Sequence, residues 1–559
     1  MYRQALDPVG HSLGLTSIFA VLPLLSLFVL LGGVRMKAQW ASLISLGVAA
    51  VVALVVYGMP VGQTFDAGAE GAAFGLFPIM WIVINALWIF HMTEKTGDFA
   101  VLRRAFSSVS NDQRVQVIII AFCFGALLEA LAGFGTPIAI CSVMLVGVGF
   151  KPMKAVALAL VADTAPVAFG GIAIPITTLS AVTGLPKHDL SAMIGRQTTP
   201  LAFLVPFVLL YIVDGRRGLR DSWPAALVAG GVFTVVLFVT SNYISPELTN
   251  IFASLASAAA LVGFLHVWSP RAHEDSTVRA AKPVPPTRRA IAGGAQVDAA
   301  LERRVAADEG RPLGTGAMLR AFSPYIIIVV VLGVCSLHAV TLQLDKATNL
   351  VAWPGLHVLN TKGTAPSSEI FKLNWLTAAG NQLFVCALLT VVALGIAPRR
   401  ALVVFATTIA QLRWAILTVC SVLALAYVMN LSGQTITLGL WVAGAGAAFA
   451  FLSPIVGWFG TAVTGSDTSA NSLFGALQVA AAHQSHLSPT LLAAANSSGG
   501  VMGKMISPQN LAIGAAAVGL TGQEGDIFRK VIGWSLVFVL IMAAFVFLQS
   551  TSVLSWMVP

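Results

Sequence analysis

Apolar runs long enough to cross a lipid bilayer recur along this chain, separated by short polar connections. A membrane-spanning helix needs about 20 consecutive, mostly apolar residues. Counted with the two broken helices described below, the runs predict an all-α polytopic membrane protein with about 12 transmembrane helices plus two re-entrant hairpins. The uninterrupted spans are predicted at 12–33, 38–58, 71–91, 199–213, 223–242, 247–268, 322–343, 375–396, 414–431 and 531–549.

Two further apolar runs contain polar, glycine-rich stretches near their middle. The run 114–150 contains Gly-Phe-Gly-Thr-Pro at 133–137, and the run 434–484 contains the hydroxyl-rich stretch 457–471. Non-helical polar backbone survives at membrane depth only where protein or a wet cavity surrounds it. Lysine and arginine concentrate in cytoplasmic connections, and basic residues at both ends of 114–150 place both ends on one side. We therefore predict two re-entrant hairpins, entering from opposite faces, whose tips line a solute site.

Two apolar runs, 153–184 and 488–520, have the composition of broken helices. The first contains a Gly-Gly pair at 170–171 and Pro175, and the second contains a Gly-Gly pair at 499–500 and Pro508. Proline removes a helical hydrogen bond, and paired small residues allow a kink. Each run is therefore predicted to be a discontinuous helix.

Short matches suggest that the chain contains an internal repeat. Phe-Gly-Thr occurs at 134–136 and at 459–461, and the spacing from Asp163 to Pro175 equals that from Asn496 to Pro508. Inverted repeats with discontinuous helices are a signature of secondary transporters. The predicted layout is a first inverted repeat at 12–213, two connecting helices in 221–268, a cytoplasmic polar linker at 269–320 and a second inverted repeat at 321–550.

Composition agrees with this class of protein. The chain is 57% hydrophobic and 10% charged, whereas soluble domains carry about 25% charged residues. The net charge of +9 comes from basic residues in short connections, so it indicates membrane orientation and no nucleic-acid partner. Arg35 and Lys37 make the first connection cytoplasmic, which predicts that both termini are periplasmic. The five cysteines are scattered without metal-ligand spacing, so no metal or cofactor is predicted.

Four ionisable residues lie inside apolar runs and close to the predicted breaks: Glu129, Asp163, Asp467 and Lys504. Each costs about 2.5–3.5 kcal/mol at the centre of a membrane helix, so such residues are usually functional. A single ammonium at Lys504, together with the positive ends of half-helices, suits a monocarboxylate. The three carboxyl groups are candidates for proton coupling, and Asp467 could equally bind Na⁺. Structural ion pairs are the alternative.

Small polar groups at the same breaks could bind the carboxylate or a hydroxyl of a solute. Capping of the broken helix ends is the alternative role for these groups. The candidate substrate-binding residues, besides Lys504, are Gly135, Thr136, Thr461, Ser466, Thr468, Asn471, Asn496, Ser497 and Ser498.

Four segments of the chain, 85–90, 129–137, 457–475 and 495–509, resemble the bacterial lactate permease family. The first reads Asn-Ala-Leu-Trp-Ile-Phe and the second Glu-Ala-Leu-Ala-Gly-Phe-Gly-Thr-Pro. The resemblance implies a proton symporter of the bacterial inner membrane for L-lactate, with D-lactate and glycolate as related substrates. It also implies kinship with the ion-transporter superfamily of paired hairpins and broken helices.

Other functions remain open at this stage. A Na⁺-coupled organic-anion transporter or a Na⁺/H⁺ antiporter would fit the same architecture. An intramembrane enzyme is disfavoured, because no HExxH motif occurs and Asp163 and Asp467 lie in different repeats. The expected partners are a small monocarboxylate, H⁺ and the lipid bilayer, and a homo-oligomer is left open.

Overall fold

The computed structural model describes residues 2–34, 36–107, 109–110, 112–133, 135–270, 314–360, 363–366 and 369–559. Most of the predicted linker 269–320 therefore lies outside the described residues. The rest of the chain is predominantly helical, as the hydropathy pattern predicts.

The first half contains thirteen α-helices among the described residues. Short π-helical turns at Val29–Gly33, Gly75–Met80 and Ile118–Phe124, and a 3₁₀ turn at Val167–Phe169, interrupt or extend them. In chain order the α-helices are Leu13–Ala20, Leu22–Phe28, Ala38–Val55, Val61–Phe74, Trp81–Thr96, Asp98–Ser107, Gln113–Val117, Gly125–Leu131, Thr136–Gly147, Pro152–Asp163, Gly170–Thr183, Lys187–Tyr243 and Thr249–Leu265.

The second half contains ten α-helices and 3₁₀ turns at Asp345–Ala347, Ala443–Ala448 and Ser555–Met557, again within the described residues. In chain order the α-helices are Thr315–Ser336, His338–Leu344, Ala379–Ala393, Pro398–Ser432, Gln434–Val442, Phe449–Thr464, Asp467–Gln484, Pro489–Lys504, Pro508–Ala517 and Glu524–Gln549.

Across the described segments, nine helical stretches are long and apolar enough to cross a membrane. A tenth is obtained if Pro152–Asp163 and Val167–Thr183, bent by 65°, form one span. The polytopic helical class is confirmed, although this count is lower than the predicted 12. One reason is that Lys187–Tyr243 is assigned as a single helix. Non-helical backbone at Asp214 and Gly215 divides it where two spans were predicted.

Two small β-sheets were not predicted. Tyr2–Arg3 pairs in parallel with Val358–Leu359, and Thr348–Ala352 pairs antiparallel with Ile370–Asn374. Three of the four strands lie between the spans predicted at 322–343 and 375–396, where the hydropathy pattern carries no helical signal. The Tyr2 hydroxyl donates to the carbonyls of Tyr57, just after Ala38–Val55, and Ser432, the last residue of Pro398–Ser432. The first sheet therefore holds the amino terminus against the helical bundle.

Three arginines predict a cytoplasmic connection at 397–413, but residues 398–413 continue the helix Pro398–Ser432. The side of the membrane on which this stretch lies stays a prediction. The basic residues that suggested a loop are exposed at its first turn and along its side, where Arg413 lies 5.4 Å from the centre of the Trp414 ring. No proline or glycine follows Pro398 until Gly433, so nothing in the sequence ends the helix earlier.

The second predicted hairpin tip also differs from expectation. Residues 457–471 are helical except at Gly465 and Ser466, which join the helices Phe449–Thr464 and Asp467–Gln484. Hydroxyl and amide side chains are compatible with a helix when its other faces pack against protein. The break is therefore much shorter than the polar stretch.

Glycines bring the centre of the second half into close contact. The helices Phe449–Thr464 and Pro489–Lys504 cross at Gly457, Gly499 and Gly503, whose Cα atoms face backbone atoms of the opposite helix. Small residues allow such backbone contact between membrane helices. This crossing holds the polar residues of Pro489–Lys504 against the second hairpin.

Candidate functional site

The first hairpin consists of Gln113–Leu131 and Thr136–Gly147, which closely matches the predicted 114–150. Glu129 lies in the last turn before the break. Gly133 and Gly135 then adopt positive φ angles of +51° and +82°, which glycine reaches without steric cost. The following helix begins with Thr136 and a proline, a favourable residue for a first turn.

The first broken helix has its break just after Asp163, the last residue of Pro152–Asp163. Its second half begins with three consecutive left-handed residues, Gly171, Ile172 and Ala173 (φ +52°, +58° and +56°). This conformation is strained for the β-branched Ile172. The residue before the left-handed turn, Gly170, lies directly against the side chain of Glu129.

The second hairpin and the second broken helix have capped breaks. Ser466 is the N-cap of Asp467–Gln484 and accepts a hydrogen bond from the backbone N–H of Ser469. Lys504 is the last residue of Pro489–Lys504, and Ser507 caps the helix that follows. The capping alternative is thus realised by Ser466.

An ion triad forms where the two broken helices and the first hairpin meet. The Lys504 ammonium lies 2.7 Å from Glu129 Oε1, to which it donates a hydrogen bond, and 3.0 Å from Asp163 Oδ2. All three side chains are at most 7% exposed. Among the described residues, Glu129 Oε2 and Asp163 Oδ1 are buried with no hydrogen-bond donor. Two carboxyl groups therefore share one cation, and each has an oxygen atom without a hydrogen-bond donor.

A second cluster surrounds Asp467. Its Oδ2 accepts hydrogen bonds from Ser497 Oγ at 2.6 Å and from Asn471 Nδ2 at 3.5 Å, and its Oδ1 accepts one from Thr461 Oγ1 at 3.5 Å. Thr461, Asn471 and Ser497 are fully buried. Five predicted site residues, counting Asn496 below, therefore meet here.

A chain of buried amides extends from this cluster. Asn471 Nδ2 donates to the Pro175 carbonyl at 3.2 Å, and Asn496 Nδ2 donates to Asn471 Oδ1 at 2.9 Å. Gln478 Nε2 donates to Asn496 Oδ1 at 3.2 Å and to the Ser453 carbonyl at 3.1 Å. Gln478 was not predicted, although an uncharged but strongly polar residue inside an apolar helix was the available signal.

A side chain absent from the predictions, Asn510, brings the two hairpin tips together. Its Nδ2 donates to the carbonyls of Lys504 at 3.1 Å and Gly465 at 3.4 Å. Its Oδ1 lies 3.2 Å from the position that a Cβ would occupy on Gly135. The tips of both hairpins therefore lie beside the break that follows Lys504, as the predicted arrangement requires.

Five predicted binding residues lie outside both clusters. Gly135 is at the tip of the first hairpin and Ser466 is a helix cap; the other three are Thr136, Thr468 and Ser498. Thr136 and Thr468 are half-buried next to the breaks. Ser498 is fully buried, but its hydroxyl has no hydrogen-bond partner among the described residues. It is one residue from Ser497, so it occupies a different face of the same helix.

The predicted alignment of the repeats is wrong in register at the broken helices. Asp163 was paired with Asn496, which lies in the middle of its helix. At the breaks themselves, the equivalent helix ends are Asp163 and Lys504. The Phe-Gly-Thr match has a similar offset, because Thr136 follows its break whereas Thr461 precedes its own. Phe134 lies outside the described residues.

Comparison with known proteins matches the chain to one family along nearly its whole length. Residues 16–553 match the family described as L-lactate permease. Glycolate permease GlcA of Escherichia coli (strain K12) is 39% identical over 573 residues, covering 98% of each chain. L-lactate permease of Bacillus subtilis (strain 168) is 39% identical over 578 residues, covering 100% of each chain.

Among solved structures, the YdaH transporter of Alcanivorax borkumensis aligns with 86% of this chain and 87% of its own. The sequence identity is 13% and the TM-score is 0.43. The family match and the full-length relatives identify this multi-pass membrane protein: it belongs to the L-lactate permease family.

Proposed function

We propose that this protein is a secondary active transporter that imports L-lactate, D-lactate and glycolate across the bacterial inner membrane together with a proton. The substrate class is supported by the names of its relatives, glycolate permease and L-lactate permease. The observation that carries the coupling is the ion triad, in which Glu129 and Asp163 share the single ammonium of Lys504. We assign the ion triad a role in coupling and no catalytic step.

Competition for Lys504 would couple the proton to the anion. While both carboxyl groups are ionised, they occupy the ammonium and repel a substrate carboxylate. A proton on Glu129 or Asp163 neutralises one of them and supplies a donor to the carboxyl oxygens that lack one. Lys504 can then bind the substrate carboxylate, so proton binding precedes anion binding.

Charge counting makes this cycle electroneutral. The triad of Lys504, Glu129 and Asp163 carries one positive and two negative charges when ionised, and one proton plus one monocarboxylate adds no net charge. A membrane potential contributes about 2.3 kcal/mol per charge moved per 100 mV. Because this cycle moves no net charge, the potential would not drive it. The pH gradient and the substrate gradient would.

The test is uptake of labelled lactate and glycolate into proteoliposomes under separately imposed pH, Na⁺ and potential gradients. We expect an inward proton gradient to drive accumulation, and a Na⁺ gradient or a potential alone not to do so. Uptake that follows Na⁺ and ignores pH would instead establish the Na⁺-coupled alternative.

Substitutions in the triad test its role directly. Lys504→Met should abolish uptake, and Asp163→Asn should weaken its dependence on the pH gradient. Lys346→Met, in the exposed 3₁₀ turn Asp345–Ala347, is the matched control and should transport normally. Normal lactate affinity in Lys504→Met would refute the proposed site.

The proposed orientation places both termini in the periplasm, because Arg35 and Lys37 belong to a cytoplasmic connection. Reporter fusions at each terminus that are active only in the cytoplasm would contradict it.

A further inference from the structure

Asp467 is a buried carboxyl group whose hydrogen bonding is incomplete. It is 3% exposed, and among the described residues no basic side chain lies within ion-pair distance. Of its three hydrogen bonds, only the one from Ser497 is short, at 2.6 Å; those from Thr461 and Asn471 are both 3.5 Å. A buried charge is costly unless it is paired or well hydrogen-bonded. Oδ1, which has only the long contact to Thr461, can accept a further donor.

The position of Asp467 relative to Lys504 is set by one face of the helix Pro489–Lys504. Asp467 contacts Ser497 and the surface left open by Gly500, whose Cβ position lies 3.2 Å from Asp467 Cγ. Gly500 is one turn before Lys504, about 6 Å along the helix axis. Side chains tilt toward the helix N-terminus, so the lysine extends toward this carboxyl group. The carboxylate therefore packs against this helix about one turn before the residue that carries the ammonium.

Glycine at position 500 lets Asp467 Oδ1 pack directly against the helix, because a Cβ there would lie 2.1 Å from that atom. A side chain there would press on Asp467 and lie 2.7 Å from Thr461 Oγ1. The helix Pro489–Lys504 therefore has a cation at position 504 and, one turn earlier, a hydrogen-bond acceptor packed against Gly500.

We propose that Asp467 recognises the 2-hydroxyl group of the transported acid, accepting its hydrogen bond at Oδ1 while Lys504 binds the carboxylate. This inference rests on the proposed function and adds a specificity-determining residue to it. The carboxylate and hydroxyl of a 2-hydroxy acid are on adjacent carbons, so one small molecule can span both groups.

The chemistry of Asp467 sets an order of preference among monocarboxylates of the same size. A 2-hydroxy acid supplies the missing donor. An unsubstituted acid leaves Asp467 without it, and a 2-keto acid turns a second acceptor toward the carboxylate. Sites built to hydrogen-bond a substrate group reject analogues that lack it, because their own buried polar group is then left unpaired. The expected order is lactate, then propionate, then pyruvate.

The experiment measures how lactate, propionate and pyruvate inhibit uptake of labelled glycolate into proteoliposomes at one pH. In the wild-type protein, lactate should inhibit at a concentration at least about tenfold lower than propionate, as expected when a buried acceptor loses its donor. In Asp467→Asn this advantage should fall to within about threefold, mainly because lactate inhibits less well. Ser472→Ala, on the same helix but outside both clusters, keeps the carboxylate and should keep the order of preference.

The outcomes separate this inference from the proposed function. If wild-type protein takes up glycolate but does not distinguish lactate from propionate, the assignment of Asp467 is overturned without a variant. The same holds if Asp467→Asn weakens both acids equally, or if wild-type uptake needs Na⁺ and this variant loses that need. Lys504→Met should weaken all three acids together. Failure of wild-type protein to take up any of these acids would overturn the proposed function itself.

Discussion

The glycine crossing in the second half gives a prediction whose size follows from the structure. A Cβ on Gly499 would lie 2.6 Å from Pro454 Cα, whereas carbon atoms in contact are about 3.5–4.0 Å apart. Gly499→Ala must therefore separate the helices Phe449–Thr464 and Pro489–Lys504 by about 1 Å. Asp467 is joined to Phe449–Thr464 by only Gly465 and Ser466, so the same movement would stretch the 2.6 Å hydrogen bond from Ser497 to Asp467 beyond bonding distance.

The expected cost combines overpacking with the loss of a hydrogen bond to a charged group, together roughly 2–5 kcal/mol. Thermal unfolding in detergent should show a clearly lower midpoint for Gly499→Ala, and glycolate uptake should fall. Gly533→Ala is the matched control, because its Cβ would meet no atom within 4 Å. Alanine in that helix interior should stabilise the protein by about 0.5–1 kcal/mol.

The prediction depends on the two glycine variants changing the stability of the protein in opposite directions. A Gly499→Ala protein as stable as wild type, with an unchanged glycolate KM, would refute the claim that backbone contact at this crossing positions Ser497. A Gly533→Ala protein destabilised to the same degree would show that any added methyl group is harmful, and the comparison would then fail.

Three further predictions concern single contacts. Gln478→Met leaves an amide oxygen of the buried chain without its donor, so it should lower the unfolding midpoint and glycolate uptake. The equally buried Gln434→Met should lower stability with little effect on KM, and equal effects on KM would contradict this. Gly170→Ala places a Cβ 3.1 Å from the Cδ atom of the triad's glutamate. It should reduce pH-driven uptake, and unchanged uptake would show that this glutamate can move freely. Burial raises the pKa of Glu247, but the charge and hydrogen bond of Lys187, with hydrogen bonds from Ser245 and the backbone, together lower it to below its ordinary value. The folded-state pKa is depressed, so the pair stabilises the protein above the unfolded carboxyl pKa and stops doing so as the pH falls through the folded value. Lys187→Met should therefore lower the midpoint at pH 7 by an amount corresponding to about 0.2–1 kcal/mol. The difference from wild type should shrink below about pH 4, and a difference that grows in acid would reverse the assigned sign.

The breaks were predictable from sequence because their causes are local. Glycines that adopt positive φ, a proline at a first helical turn and serine caps act within a few residues. The first hairpin accordingly lies within a residue or a few of its predicted ends. The grouping of Glu129, Asp163 and Lys504 was also foreseeable, since charges inside apolar runs are costly to leave unpaired.

Other features depend on contacts between distant segments, which no local pattern encodes. Asn510 and Gln478 acquire their roles only when the second broken helix packs against the second hairpin. The β-sheet at Thr348–Ala352 forms from residues with no strong helical or strand periodicity. The repeats are offset because the few identical residues of the two halves do not fall at equivalent helix ends.

The ion triad has a consequence for how the polypeptide is made. Glu129 and Asp163 are synthesised long before Lys504, and until the later segment enters the bilayer both acids lack their cation. Neither half of the chain can satisfy its own buried charges, so each half depends on the other for its stability. A chain that ends before residue 504 therefore retains two unpaired acids within the membrane, and we expect it to be unstable and degraded.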